Sequence, residues 1–217
     1  MIQGLNAKAL LEQELPHSVR SMIVPTIRRA YALTDALFSD TEFLRWRVGK
    51  DLYRLVRRVV VEHEIKRAVD GKPIGLTSGI ASNAIDNCRH LELRSNRLVI
   101  TVSQVVSPRA VPRRAVYRNQ HSISNQQCWV FAGYNDEDGR FDQEKPLYAI
   151  ITHGYMGKEP QHICIGVPES RIRGWITQID LLNELRIVPA PEDIEVITEE
   201  RLVSLRKHVK KVVEDNA

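Results

Sequence analysis

The stretch RHLELRSNRLVITVSQ, residues 89–104, most strongly limits what this chain can fold into, because apolar and polar residues alternate along it. A period of two is typical of β-strands that bury one face. Ser95-Asn96 separates the two alternating runs and predicts a two-residue hairpin turn that pairs Arg94 with Arg97. In that register one face is apolar: Leu91, Leu93, Leu98, Ile100 and Val102. The other face is polar: His90, Glu92, Arg94, Arg97, Thr101 and Ser103.

The residues before the hairpin repeat with helical periodicity. We expect one helix over Val19–Phe38 and a long second helix that follows a capping-box spacing at Ser39 and Glu42. Asp70-Gly71 predicts where that second helix ends. A short third helix is expected over Leu76–Asp86.

The residues after the hairpin predict further strands, separated by connections that are short enough to favour antiparallel pairing. These strands are expected at 128–134, 146–153 and 162–167, with a solvated acidic turn at 135–139. An amphipathic helix is predicted after Pro168, with Ile172, Trp175, Ile176 and Ile179 on one stripe. A linker at 189–191 and a last helix over roughly Glu199–Glu214 complete the prediction.

Together these elements predict an α+β fold, with N-terminal helices, a central antiparallel sheet of about five strands and C-terminal helices. We divide the chain into a helical region at 1–87, a β-rich core with a packed helix at 88–188, and a linker with a helix at 189–217. At 217 residues, we expect these regions to form one globular domain.

Composition excludes some classes of protein. No apolar run approaches the roughly 18–20 residues that cross a bilayer, so we expect no membrane partner. The N-terminal residues carry acids where a signal peptide would be apolar. Cys88, Cys128 and Cys164 are isolated from one another, and we expect buried, reduced thiols in a cytoplasmic protein.

The charge distribution gives the main functional hypothesis. No acid and no lysine occurs between Glu92 and Asp136, although the interval contains six arginines. Arginine grips phosphate and carboxylate with a planar fork, which lysine cannot do. We therefore expect association with DNA or RNA through phosphate contacts, with Tyr117 placed to stack on a base. The predicted binding residues are Arg94, Arg97, Arg109, Arg113, Arg114, Tyr117 and Arg118.

A competing interpretation needs no nucleic acid. The same arginines would then pair with the acids at 136–144 and with those of the terminal helices, within one chain or across a homo-oligomer. A small anionic ligand and an acidic protein partner are further alternatives. The conformation of residues 114–118 is also left open between a strand and a helix that starts at Pro112.

Asp86, His90 and Glu92 form the best enzymatic group, because two carboxylates and an imidazole suit a divalent ion for phosphodiester hydrolysis. An acid on the first hairpin strand resembles the PD-(D/E)xK nucleases, which would imply Mg²⁺ or Mn²⁺ as cofactor. The second strand reads Thr101-Val102-Ser103-Gln104 and lacks the Glu-x-Lys pair of that family. A degenerate, binding-only relative is one alternative, and an ion pair between Glu92 and Arg94, Arg97 or another nearby arginine is the other.

Two further features have structural and functional interpretations. His153 and His162 flank the loop between two predicted strands, where they are expected to be hydrogen-bonded surface residues or ligands of a metal that would need a third group. The long helix is expected to have a basic side with Arg45, Arg47, Lys50, Arg54, Arg57 and Arg58. Trp46 and Trp175 are predicted to be core or interface anchors.

Overall fold

The computed structural model describes residues 6–83, 86, 88–126, 146–154, 157–185 and 203. Its N-terminal layer contains helices α1 (Ala7–Glu14), α2 (His17–Asp40), α3 (Glu42–Arg45) and α4 (Tyr53–Asp70). The sheet contains β1 (Thr77–Ser82), β2 (Arg89–Arg94), β3 (Leu98–Gln104), β4 (Leu147–His153), β5 (Ile163–Pro168) and β6 (Trp175–Asp180). Helix α5 (Val116–Ile123) lies between β3 and β4, and α6 (Leu181–Leu185) follows β6. Three short 3₁₀ turns cover Gly49–Leu52, Ser124–Gln126 and Ser170–Ile172.

The α+β class is confirmed, but the sheet is mixed and has six strands within the described residues. The strands lie in chain order, and every neighbouring pair is antiparallel except β3 and β4, which are parallel. The prediction of an all-antiparallel sheet was wrong because the connection between those strands is long and contains α5, and a connection of that length allows a crossover.

The predicted hairpin is confirmed, although its register differs by two residues. Glu92 pairs with Thr101 and Arg94 with Val99, so Arg97 lies in the turn and does not oppose Arg94. A shift of two leaves every side chain on its face, which is why the sequence pattern does not distinguish the two registers. The apolar face of the hairpin packs into the main core together with α2 and α4.

Helix α2 contains the predicted Val19–Phe38 helix and continues through Pro25, and α4 ends at Asp70 as expected. The chain before α4 is not one long helix. It turns tightly at Gly49, where an added Cβ would lie 2.2 Å from the carbonyl oxygen of Phe43. The capping box of Ser39 and Glu42 is also not formed, because Ser39 lies within α2 and Thr41 is the residue that precedes α3.

Two other predicted helices are strands. Residues 77–82 form the edge strand β1, in which Ile80 pairs with Leu91, and Ser and Gly are weak helix formers. The stripe after Pro168 belongs to a 3₁₀ turn and to β6, in which Ile179 pairs with Ile165. The strands expected at 146–153 and 162–167 are confirmed. The features predicted at 128–134, 135–139 and 189–191, Cys128, and nearly all of the last helix lie outside the described residues.

Candidate nucleic-acid interface and buried polar clusters

The predicted binding residues separate into two groups. Arg94 and Arg118 are engaged within the fold: Arg94 donates to Glu92 (2.6 Å), and Arg118 donates to the backbone oxygen of Arg113 (2.9 Å). The Glu92–Arg94 ion pair confirms the alternative in which Glu92 pairs with a nearby arginine. The second group is exposed and forms no ion pair with any residue that the structure describes: Arg97, Arg109, Arg113 and Arg114.

The loop that carries three of these exposed arginines is held against the sheet by its backbone. Trp175 donates its indole N–H to the oxygen of Arg109 (3.3 Å), and Gln178 donates to the oxygen of Pro108 (2.8 Å). Val111 packs against a small apolar cluster on the face of the sheet opposite the main core. The main chain is therefore fixed while the guanidinium groups of Arg109, Arg113 and Arg114 remain exposed.

Trp175 depends on Gly166 for its position, which gives a first testable prediction. A Cβ at Gly166 would lie 2.7 Å from the Trp175 ring and 3.0 Å from the oxygen of Thr177. We expect Gly166→Ala to displace the indole, to lower the free energy of unfolding by about 1–3 kcal/mol and to loosen the loop. Hydrogen–deuterium exchange should be faster over residues 107–115 than in the wild type. Unchanged exchange there would contradict the role given to Trp175.

The structure adds two arginines that sequence reasoning missed. Arg171 and Arg173 are exposed, and the backbone N–H of Arg171 donates to the hydroxyl of Ser122, which brings this turn against α5. Arg171 and Ile172 both have left-handed backbone angles (φ 59° and 51°). This conformation is strained for Ile172, because its side chain is β-branched. Burial of Ile172 helps to hold that turn. In the sequence these residues are only two neighbouring arginines. A helix was predicted there, so their place in a turn next to α5 was not foreseen.

Tyr117 lies at the start of α5, so the helical alternative for residues 114–118 is correct, with a start at Val116 in place of Pro112. Its ring stacks on His90, with the centroids 3.8 Å apart and an interplanar angle of 19°. The stacking partner within the chain is therefore an imidazole, and base stacking by Tyr117 stays a prediction.

Glu92 lies at the centre of a buried polar cluster beneath α5. Its Oε1 accepts from Nε2 of His121 (3.0 Å) and lies 3.3 Å from Nε2 of His90. Burial alone would raise the pKa of Glu92, but the hydrogen bonds from Arg94 and His121 outweigh burial and lower it. Burial lowers the pKa of His90 in spite of its contact with Glu92. The cluster ties α5 to the sheet, since His121 also stacks on Tyr148.

This cluster does not fit a hard divalent ion. Asp86 is exposed in a turn with φ 50°, while His90 and Glu92 are buried. Within the described ranges, no group of three or more His, Cys, Asp or Glu side chains is placed to hold a metal. The oxygens of Glu92 already accept hydrogen bonds from protein donors, whereas Mg²⁺ and Mn²⁺ require several free oxygen ligands.

A second buried cluster surrounds Arg57, on the other face of the sheet. Its guanidinium is fully buried between the rings of Tyr31 (4.0 Å) and Tyr53 (4.3 Å). It donates to the oxygen of Gly157 (2.7 Å) and to Asp35 (3.2 Å), and it also contacts the hydroxyl of Tyr53. Arg57 therefore connects α2, α4 and the loop between β4 and β5. It was predicted to lie on the basic face of the long helix, but its side chain is buried and does not contribute to that surface.

His153 joins this second cluster. Its Nδ1 lies 2.8 Å from the oxygen of Gly154 and 2.9 Å from the hydroxyl of Tyr31, which itself donates to Gly154. His153 and His162 are both buried, so their prediction as surface residues was wrong. Burial lowers the pKa of His153 to about 4 and raises the pKa of Tyr31 to about 12.

The fold and the two clusters define an α+β protein with a six-stranded mixed sheet and an exposed arginine surface beside α5. Comparison with protein-family models, curated proteins and solved structures found no match to this chain. Within the described residues, no helix is both long enough and apolar enough to span a bilayer. Of the cysteines in these ranges, Cys164 is buried and Cys88 is partly buried, and both are free thiols.

Proposed function

We propose that this protein binds nucleic acid through phosphate contacts from an arginine surface on the loop before α5 and on the turn before β6. The surface consists of Arg109, Arg113, Arg114, Arg171 and Arg173. The proposal places the protein in the cytoplasm, where free thiols such as those of Cys88 and Cys164 stay reduced.

The observation that carries this proposal is that five arginines have no ion-pair partner among the residues that the structure describes, which do not include the acids at 136–144. These five guanidinium groups are exposed and form no ion pair with the described part of the chain. Arg113 and Arg114 also adjoin Arg118, so the surface concentrates positive charge beside α5. Phosphate is the anion that such a fixed array of planar donors suits best, because every phosphate of a strand offers the same geometry.

The proposal predicts a loss of affinity that depends on position as well as on charge. We expect the variant R109Q/R113Q/R114Q to bind labelled RNA and DNA more weakly, with the slope of log K against log salt reduced by about 2–3. R171Q/R173Q should lower that slope by a further 1–2 or so. Fluorescence anisotropy at several salt concentrations, with single- and double-stranded probes, measures both effects and identifies the preferred strand type.

A matched control removes the same charge elsewhere. Arg28, Arg67 and Lys72 are exposed residues of the helical layer and make no ion pair within the described residues. We expect R28Q/R67Q/K72Q to bind as the wild type does, apart from a small effect of net charge. Equal losses in both triple variants, or no binding by the wild type at low salt, would overturn the proposal. Adding Mg²⁺ or Mn²⁺ tests the phosphodiesterase alternative, for which the occupied oxygens of Glu92 predict an intact probe.

A further inference from the structure

Three of the large apolar side chains that are exposed in the described residues lie in one short segment that the arginine surface does not use. Phe43, Trp46 and Val48 lie within six residues and are 65%, 66% and 57% exposed. Isolated exposed apolar residues are ordinary on a protein surface, but a cluster that includes two large aromatic rings marks an interaction site. We name residues 42–52, which contain α3 and the following 3₁₀ turn, the knuckle.

The knuckle presents these side chains from a fixed backbone. Leu44 is buried in the main core and anchors the segment, and Gly49 packs so closely that an added Cβ would lie 2.7 Å from the Cα of Leu44. The backbone N–H of Lys50 donates to the oxygen of Trp46 (3.0 Å). A rigid, protruding aromatic pair loses little conformational entropy when it is buried by a partner.

The knuckle carries charges of both signs. Arg45, Arg47 and Lys50 are exposed beside Glu42 and Asp51, which are exposed too, and these five residues form no ion pair among the described residues. A nucleic acid offers partners only to the three cations and would leave the two acids unpaired. A second copy of the same segment offers acids to the cations and cations to the acids, so charges of both signs gain a partner.

We propose that the knuckle is the centre of an isologous homodimer interface, in which Phe43 and Trp46 pack against the same segment of a second copy. With about two-thirds of each ring exposed, the aromatic pair supplies roughly 250 Å² per copy. A standard interface buries about 800 Å² on each partner, so the flanking side chains form the remainder. The inference is independent of nucleic-acid binding, which uses other residues.

Sedimentation velocity of the full chain, from micromolar to near-millimolar concentration, tests this proposal. We expect the wild type to dimerise and F43S/W46S to weaken self-association by at least about thirtyfold. The control I80S/I123S replaces two residues that are exposed to a similar extent (59% and 55%) on β1 and α5, and it should dimerise as the wild type does. Circular dichroism confirms that each variant is folded.

A charge-reversal pair makes the test specific for the knuckle. R45E/R47E/K50E and E42K/D51K each carry charge of one sign there, so each alone should be monomeric, and an equimolar mixture should form a heterodimer. A monomeric wild type at the highest concentration overturns the proposal. A dimer that F43S/W46S does not weaken also overturns it and assigns the interface to another surface. Quenching of Trp46 fluorescence by single-stranded RNA in a monomeric wild type would reassign the knuckle to nucleic acid.

Discussion

Replacing Arg57 with alanine should lower the free energy of unfolding by about 3 kcal/mol, the largest effect that we expect from a single substitution. The side chain is completely buried, and its loss leaves the oxygen of Gly157 without this donor and Asp35 without its cation, although Asp35 keeps the hydrogen bond from the hydroxyl of Tyr53. It also opens a space between the rings of Tyr31 and Tyr53. We place the loss at the lower end of the range for broken buried pairs because Asp35 is 26% exposed, and solvent screens part of that interaction.

Chemical denaturation followed by circular dichroism measures this loss, and two further variants interpret it. Arg57→Lys keeps the charge but not the planar fork, so we expect an intermediate loss. Arg67→Ala removes an exposed arginine from the same helix and should change the stability by less than about 0.5 kcal/mol. If Arg57→Ala and Arg67→Ala lower the free energy of unfolding by the same amount, the cluster does not connect the helices to the β4–β5 loop in the way that the contacts indicate.

The parts of the fold that the sequence predicts are those in which local periodicity and burial agree. The body of α2 and the two faces of the β2–β3 hairpin follow from apolar spacing, and the end of α4 at Asp70 follows from the glycine after it. The hairpin register does not, because pairing Arg94 with Val99 or with Arg97 places the same side chains on the same faces. The turn decides between the two registers, and both Ser95-Asn96 and Asn96-Arg97 are acceptable turn sequences by composition.

The wrong predictions arise where neighbours in space override local pattern. Strand β1 is an edge strand with most of its residues exposed, so it lacks the alternation that identifies a strand. The parallel pairing of β3 with β4 depends on how the connection through α5 crosses the sheet, and residue spacing carries no information about that path.

The candidate sites show the same limit. The arginine-rich composition indicates a surface that binds anions, but only contacts in space separate Arg94, which pairs with Glu92, from Arg109, which pairs with none of the described acids. The Arg57 cluster joins residues that are more than 100 positions apart, such as Tyr31 and His153. The sequence indicates this cluster only through two tyrosines, each four residues before a charged residue on a helix: Tyr31 before Asp35 and Tyr53 before Arg57.

The stability of this protein should fall steeply between pH 6.5 and pH 4, because His153 is held neutral in the folded state. Burial lowers its pKa from the ordinary value of 6.5 to about 4, and the nearby charges of Arg57 and His162 act in the same direction. The unfolded chain therefore binds a proton in this interval that the folded chain does not. The contribution of the neutral imidazole is complete above pH 6.5 and is lost as the pH falls toward 4, which amounts to about 3 kcal/mol.

The variant His153→Gln isolates this contribution from those of His90, His162 and Glu92, whose pKa values are also lowered and also favour unfolding in acid. Unfolding free energies measured at several pH values should show a slope that is smaller than that of the wild type by about 1 kcal/mol per pH unit between pH 6 and pH 4.5. Equal slopes for His153→Gln and the wild type would mean that the pKa of His153 is the same in the folded and the unfolded chain. The folded imidazole would then need solvent or an anionic partner at Nε2, because the carbonyl of Gly154 and the hydroxyl of Tyr31 both contact Nδ1 and no described residue bonds to Nε2.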